Sequence, residues 1–240
     1  KVKMIKQTII FMILLTFTVS NVLAQDVYNQ FDNNGLRHGK WKKNFEDTKQ
    51  VRYEGQFEHG KEIGLFKFYK LIRKQSILTA TKSFNPNDRT AEVTFLASNG
   101  KVISKGRMNG KLYIGEWIYY HNDSDSVMTK ETYDTYGRLT GEKHVYFENG
   151  QLAETLLFKN GKKEGNAINY SEKGIVLKDF NFKNGELHGP YKDYTPRGEL
   201  IVEGQFKNGK KTGVWKYYEN GELVNEKNFS DQKSFSSNDN

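Results

Sequence analysis

The sequence predicts an all-β chain, an elongated antiparallel β-hairpin repeat laid out as a meander or solenoid with two strands per unit of about 24 residues. Three observations predict it. Glycine recurs at fixed intervals: Gly161, Gly185 and Gly209 are spaced by 24, and so are Gly165, Gly189 and Gly213. Asn-Gly occurs eight times, ending at Gly35, Gly100, Gly110, Gly150, Gly161, Gly185, Gly209 and Gly221. That dipeptide fits a type I′ hairpin, in which both central residues take positive φ. Aromatic and aliphatic residues then keep phase with the glycines along the chain.

Taken in order, residues 1–24 have the form of a secretory signal peptide. Lys1, Lys3 and Lys6 precede an apolar run from Ile9 to Val19, and Val22-Leu23-Ala24 supplies a cleavage site after Ala24, with Met4 read as the start. Residues 25–229 form the tandem repeat domain. Glycine pairs four apart mark its turns: Gly35 and Gly39, Gly60 and Gly64, Gly137 and Gly141, Gly161 and Gly165, Gly185 and Gly189, Gly209 and Gly213, with a stretched pair at Gly110 and Gly115. A further copy around Phe84 to Asp88 has Pro86 and Asp88 where turn glycines are expected, and Asn122-Asp-Ser-Asp-Ser126 lengthens another loop. Both departures predict imperfect stacking there. Residues 230–240 are polar with one Phe and are expected to stay a mobile tail.

Between turns lie six to nine residues rich in Tyr, Phe, Val, Ile and Leu, such as Leu200-Ile-Val-Glu-Gly-Gln-Phe206. Glycine interrupts these stretches too often for helices, so they read as strands. Two residues after the second glycine of a pair stand Trp41, Phe66, Trp117, Tyr191 and Trp215; five after it stand Tyr69, Tyr120, Tyr146, Tyr170, Tyr194 and Tyr218. Phe57, Phe158, Phe182 and Phe206 lie three before the first glycine. Val102, Leu152, Val176, Leu200 and Leu223 follow a second glycine series by two. Some sixteen strands at about 4.8 Å give a sheet on the order of 75 Å long, which twists or curls. Each unit then packs mainly on its neighbours, and aromatic columns take the place of a single core.

Composition narrows the function classes. With no Cys among 240 residues, a disulfide scaffold, a thiol nucleophile and thiolate metal sites are excluded. No stretch reaches the roughly 18 apolar residues of a membrane-spanning helix. Cleavage of the signal removes three lysines from a formal net charge of +8, leaving +5. Lys and Glu are mixed along the chain, which reads as a solvated surface of both signs and not as a nucleic-acid footprint.

The five histidines, His38, His59, His121, His144 and His188, show no metal-site spacing, and His38 and His188 share one repeat position beside a turn. No nucleophile elbow, P-loop or dinucleotide fingerprint is present, so no catalytic residue, metal or cofactor is expected. The aromatic columns are the candidate binding residues: Trp41, Phe66, Trp117, Tyr120, Tyr191, Tyr194, Trp215 and Tyr218. Packing between hairpins is their other role. Trp215 and Tyr217 share one strand parity and Val214 and Tyr218 the other, so a single-layer sheet leaves apolar groups on both faces.

Tyr53-Glu54-Gly55-Gln56-Phe57-Glu58-His59-Gly60-Lys61 and Glu203-Gly-Gln-Phe-Lys-Asn-Gly-Lys-Lys-Thr-Gly213-Val-Trp-Lys-Tyr-Tyr218 resemble the MORN repeat. More narrowly, the chain is similar over residues 28–229 to the MORN-variant repeats of bacterial YwqK-type antitoxins. The resemblance implies a row of β-hairpins forming an elongated, grooved interaction surface, with no catalytic residues. It implies protein scaffolding or contact with phospholipid. The expectation is therefore an exported, non-enzymatic protein, periplasmic or secreted, that binds another protein. The alternatives are an antitoxin or immunity-like protein that occludes a toxin, and a peripheral binder of anionic lipid through Lys159, Lys162, Lys163, Lys207, Lys210 and Lys211.

Overall fold

A computed structural model describes residues 27–122 and 124–230. The signal peptide predicted at 1–24 lies outside the described residues, as does the tail beyond Ser230. Seventeen strands follow one another: β1 (Gln30–Phe31), β2 (Arg37–Asn44), β3 (Val51–Glu58), β4 (Lys61–Ile72), β5 (Gln75–Phe84), β6 (Thr90–Leu96), β7 (Val102–Asn109), β8 (Leu112–Tyr120), β9 (Val127–Tyr133), β10 (Leu139–Tyr146), β11 (Leu152–Lys159), β12 (Lys162–Tyr170), β13 (Val176–Lys183), β14 (Glu186–Tyr194), β15 (Leu200–Lys207), β16 (Lys210–Glu219) and β17 (Glu222–Asn228). Each pairs antiparallel with the next, so the predicted meander is present as one open sheet, with no helix among the described residues.

The turns explain the regularity. Two-residue loops at Asn160-Gly161, Asn184-Gly185, Asn208-Gly209 and Asn220-Gly221 have positive φ at both positions, as a type I′ turn requires. The other four Asn-Gly pairs differ from the expectation. Asn34, Asn99 and Asn149 are not left-handed; the following glycine N–H instead closes a wider loop on the carbonyl of Asp32, Ala97 or Phe147. At Asn109-Gly110 the register Asn109 to Leu112 makes Gly110 the first central residue, as in a type II′ turn. From β10 to β16, two-residue turns lie along one edge of the sheet and five-residue loops along the other, because the connections alternate sides.

All twelve predicted turn glycines have φ between 63° and 97°. The second glycine of each pair is nevertheless inside a strand. Gly64, Gly115, Gly141, Gly165, Gly189 and Gly213 each fall where the ladder slips, at a β-bulge. Tight turns also stitch units together. The Gly60, Gly161, Gly185 and Gly209 N–H groups donate to the carbonyls of Arg37, Leu139, Lys163 and Leu187 in the preceding hairpin.

Stacking continues through both irregular units. In the loop from Asn85 to Arg89, Asp88 Oδ1 accepts from the Thr90 N–H and hydroxyl, and Asn85 Oδ1 accepts from the Asn87 N–H. These side-chain bonds replace what a glycine turn supplies, and β5 and β6 pair without a slip. The longer loop after His121 leaves β8 and β9 paired from Gly115 to Tyr120.

Candidate functional site

Register divides the side chains between two faces. On the inner face one row crosses the sheet through Trp41, Gly55, Phe66, Lys82, Val93, Gly106, Trp117 and Glu131, and a second block continues through Lys143, Leu156, Ala167, Phe180, Tyr191, Gly204 and Trp215. Size alternates along it. Gly55, Gly106 and Gly204 face Phe66, Trp117 and Trp215, and a Cβ at any of the three would collide with the ring. None of these three glycines has positive φ, unlike the other nineteen. They serve space, not conformation. Leu156 opposite Ala167 inverts the same large-against-small rule.

Phe66, Trp117 and Trp215 are 1%, 0% and 1% exposed. The Trp117 and Trp215 indole N–H groups donate to the carbonyls of Arg107 (3.0 Å) and Gln205 (3.2 Å), which removes the cost of burying them. Trp41 donates in the same way to Gln30 at 3.1 Å. Rings link across strands, with centroids 5.2 Å apart for Phe57 and Phe66 and 5.1 Å for Phe206 and Trp215. Tyr191 lies 5.5 Å from Trp215. Of the eight candidate binding aromatics, Trp41, Phe66, Trp117, Tyr191 and Trp215 therefore belong to the internal packing column.

Near the middle of this face sits a charge. Glu131 is 6% exposed; it accepts a 2.6 Å hydrogen bond from the Tyr133 hydroxyl and pairs with Lys143 at 3.1 Å. Burial pushes its carboxyl up, but Tyr133, Lys143 and Tyr119 outweigh that and hold it below the usual range. Burial and Glu131 push Tyr133 up to about 12. No sequence pattern marked this cluster, because Glu131 has no equivalent in other units. The three ring-facing glycines were missed too, although each precedes its ring by 11 residues, a spacing that repeats.

The outer face carries the other column. Tyr69, Tyr120, Tyr146, Tyr170, Tyr194 and Tyr218 are half-buried and pair across strands with Leu78, Val127, Leu152, Val176, Leu200 and Leu223. From Tyr146 to Tyr218 the two series that keep separate phase in the sequence thus meet as cross-strand pairs, whereas Val102 pairs with Leu96. Their neighbours are polar: Tyr69 and Tyr218 donate to Glu54 (2.6 Å) and Glu203 (2.8 Å), and Lys105 lies over the Tyr120 ring. Burial and Glu54 push Tyr69 up to about 12. Beside this column runs a row of alternating charge at the C-terminal end, Asp179, Lys192, Glu203, Lys216 and Glu226, with Lys42, Glu54 and Lys67 at the other end. Tyr120, Tyr194 and Tyr218 of the candidate set belong here.

In the C-terminal half the sheet edges differ in charge. The tight-turn edge holds Lys159, Lys162, Lys163, Lys207, Lys210 and Lys211, of which Lys163 and Lys211 lie over the Phe182 and Trp215 rings. The long-loop edge, next to the tyrosines, holds Glu148, Glu172, Glu199, Glu219 and Glu222 against Lys173 and Arg197. Among the described residues no three His, Asp or Glu side chains gather to hold a metal ion. Among the described residues no helix is long and apolar enough to cross a membrane.

Residues 139–160, 187–208 and 211–231 match the family described as MORN repeat variant. Each matched segment spans two strands joined at the long-loop edge, by five-residue loops in the first two and by the Asn220-Gly221 turn in the third, so that hairpin is the repeating unit and the turns at the opposite edge connect units. No curated protein matches the chain. Among solved structures, a chain in the crystal structure of TcdB2-TccC3-Cdc42 is similar over 78% of this chain and 13% of that one, at 11% identity and a TM-score of 0.21, a score from which no shared fold follows.

Proposed function

We propose that this carrier of MORN-variant repeats is an exported, non-enzymatic module that binds another polypeptide through the outer, tyrosine-lined face of its sheet. The partition of the aromatic columns carries the reading. On the inner face Phe57, Phe66, Trp117 and Trp215 are buried by packing, whereas no outer tyrosine is fully buried, and such partly exposed amphipathic rings beside aliphatic partners suit an interface. The similarity to YwqK-type antitoxins makes a toxin the first partner class to try. Export rests on residues 1–24, and the site of action is then periplasmic or extracellular.

A photo-crosslinking residue placed at Tyr170 or Tyr194, and in parallel at inner-face Phe182, tests this. Partner adducts at the two outer positions and none at Phe182 are expected; adducts only at Phe182 contradict it. A second reading has its own observation, the six lysines on one edge, at roughly 1 kcal/mol each near anionic lipid. Sedimentation with phosphatidylserine vesicles that falls with added salt and with Lys159→Glu and Lys207→Glu supports it; salt-insensitive sedimentation, or none, excludes it.

A further inference from the structure

We infer that the outer tyrosine ladder of the C-terminal half reads a basic, proline-rich segment in polyproline II conformation, laid across the strands; this rests on the polypeptide-binding reading above. The argument is one of pitch, chemistry and charge. Tyr146, Tyr170, Tyr194 and Tyr218 recur on every second strand, and strands are about 4.8 Å apart, so the rings recur at about 9.6 Å. A polyproline II helix has three residues per turn at 3.1 Å each, a pitch of about 9.3 Å. Every third residue of such a ligand therefore meets an equivalent ring. A strand or an α-helix crossing the ladder offers no such match, since their side-chain repeats are about 6.6 Å and 5.4 Å.

Each rung is a tyrosine beside an aliphatic residue: Leu152, Val176, Leu200 and Leu223. Proline rings dock on aromatic surfaces of this kind at little entropic cost, because the ligand is already extended. Between two rungs lies a depression of about 340 Å³ whose lining includes Leu200 and Tyr218 together with Glu199 and Glu219. Five glutamates against two basic residues line the adjoining loop edge, so the ligand's flank facing that edge is Lys or Arg. The opposite, lysine-rich edge would repel a basic chain, which fixes the side on which it lies.

The test uses residues 25–240, which contain every described strand, and a fluorescent peptide of four Pro-Pro-Lys triplets. Anisotropy at low salt should report binding that weakens at least tenfold for a peptide of the same composition whose lysines no longer recur every third residue. Tyr170→Ala with Tyr194→Ala should cost at least tenfold, and Glu172→Lys with Glu199→Lys should weaken binding and abolish its salt dependence, with strand circular dichroism retained in each. Equal binding of the shuffled peptide reduces the effect to charge alone and overturns the inference, as does the absence of binding to the Pro-Pro-Lys peptide. Crosslinked partner at Tyr194 together with no Pro-Pro-Lys binding leaves the outer face as the interface and rejects the ladder.

Discussion

Gly204 and Gly209 lie five residues apart and are glycine for different reasons. A Cβ on Gly204 would enter the Trp215 ring, while Gly209 has open space around it and φ of +76°. Gly204→Ala should destabilise the chain by about 1–3 kcal/mol through overpacking. Gly209→Ala should cost about 1–2 kcal/mol through its backbone. Urea denaturation separates the two: the Gly204→Ala penalty should vanish in a Trp215→Ala background and the Gly209→Ala penalty should persist. Glu131 gives a pH prediction. Its folded pKa lies below the ordinary carboxylate value of about 4.3, so its stabilisation is full above that value and is lost as pH falls through the folded pKa. Glu131→Gln should lower stability at neutral pH by about 1–3 kcal/mol. It should also flatten the acid limb of stability between about pH 5 and pH 3, measured by urea midpoints. The turn glycines were legible because a left-handed residue has a composition signature. The ring-facing glycines and Glu131 were not, since what makes each matter is a neighbour on another strand.

Hairpins set the register at the scale of elements. Most tight turns have glycine at their second position, but β4 and β5 are joined by Arg73-Lys74, with φ of 47° and 63°. Neither residue prefers that conformation, and the long pairing from Gly64 to Ile72 maintains it. Lys74→Gly should therefore stabilise the chain by about 0.5–1 kcal/mol, read as a rise in the urea midpoint with unchanged slope. A fall would show that the Lys74 side chain itself supports the turn. Strand positions were readable from glycine punctuation and apolar phase, including the pair of series that meet as Tyr194 and Leu200. The unit boundary was less readable. Either edge of the sheet can hold the connectors in a periodic string, and only the matched segments, each closed at the long-loop edge, separate unit from link. The last strand, β17, ends the row with Lys227 opposite Trp215, as Lys82 stands opposite Phe66 on β5. A charge on the inner face of an edge strand discourages another strand from adding there.

The whole molecule is a single layer in which one face is the core. Two aromatic blocks occupy it, Trp41 to Trp117 and Phe180 to Trp215, joined through Glu131, Lys143, Leu156 and Ala167. Stability then sums over nearest neighbours, as in other repeat architectures. That the chain forms a meander of hairpins was legible from period alone. Which face is covered was not, because strand parity places apolar groups on both, and the answer depends on ring-slot complementarity across strands. The functional reading depends on that division, so it is also where the account is most exposed. Hydroxyl-radical footprinting of the native chain, resolved by residue, measures both faces in one experiment. The account predicts modification of Tyr170, Tyr194 and Tyr218 under native conditions, with Phe66, Trp117 and Trp215 protected until the chain unfolds. Native modification of Trp117 and Trp215 at rates matching the tyrosines would contradict it.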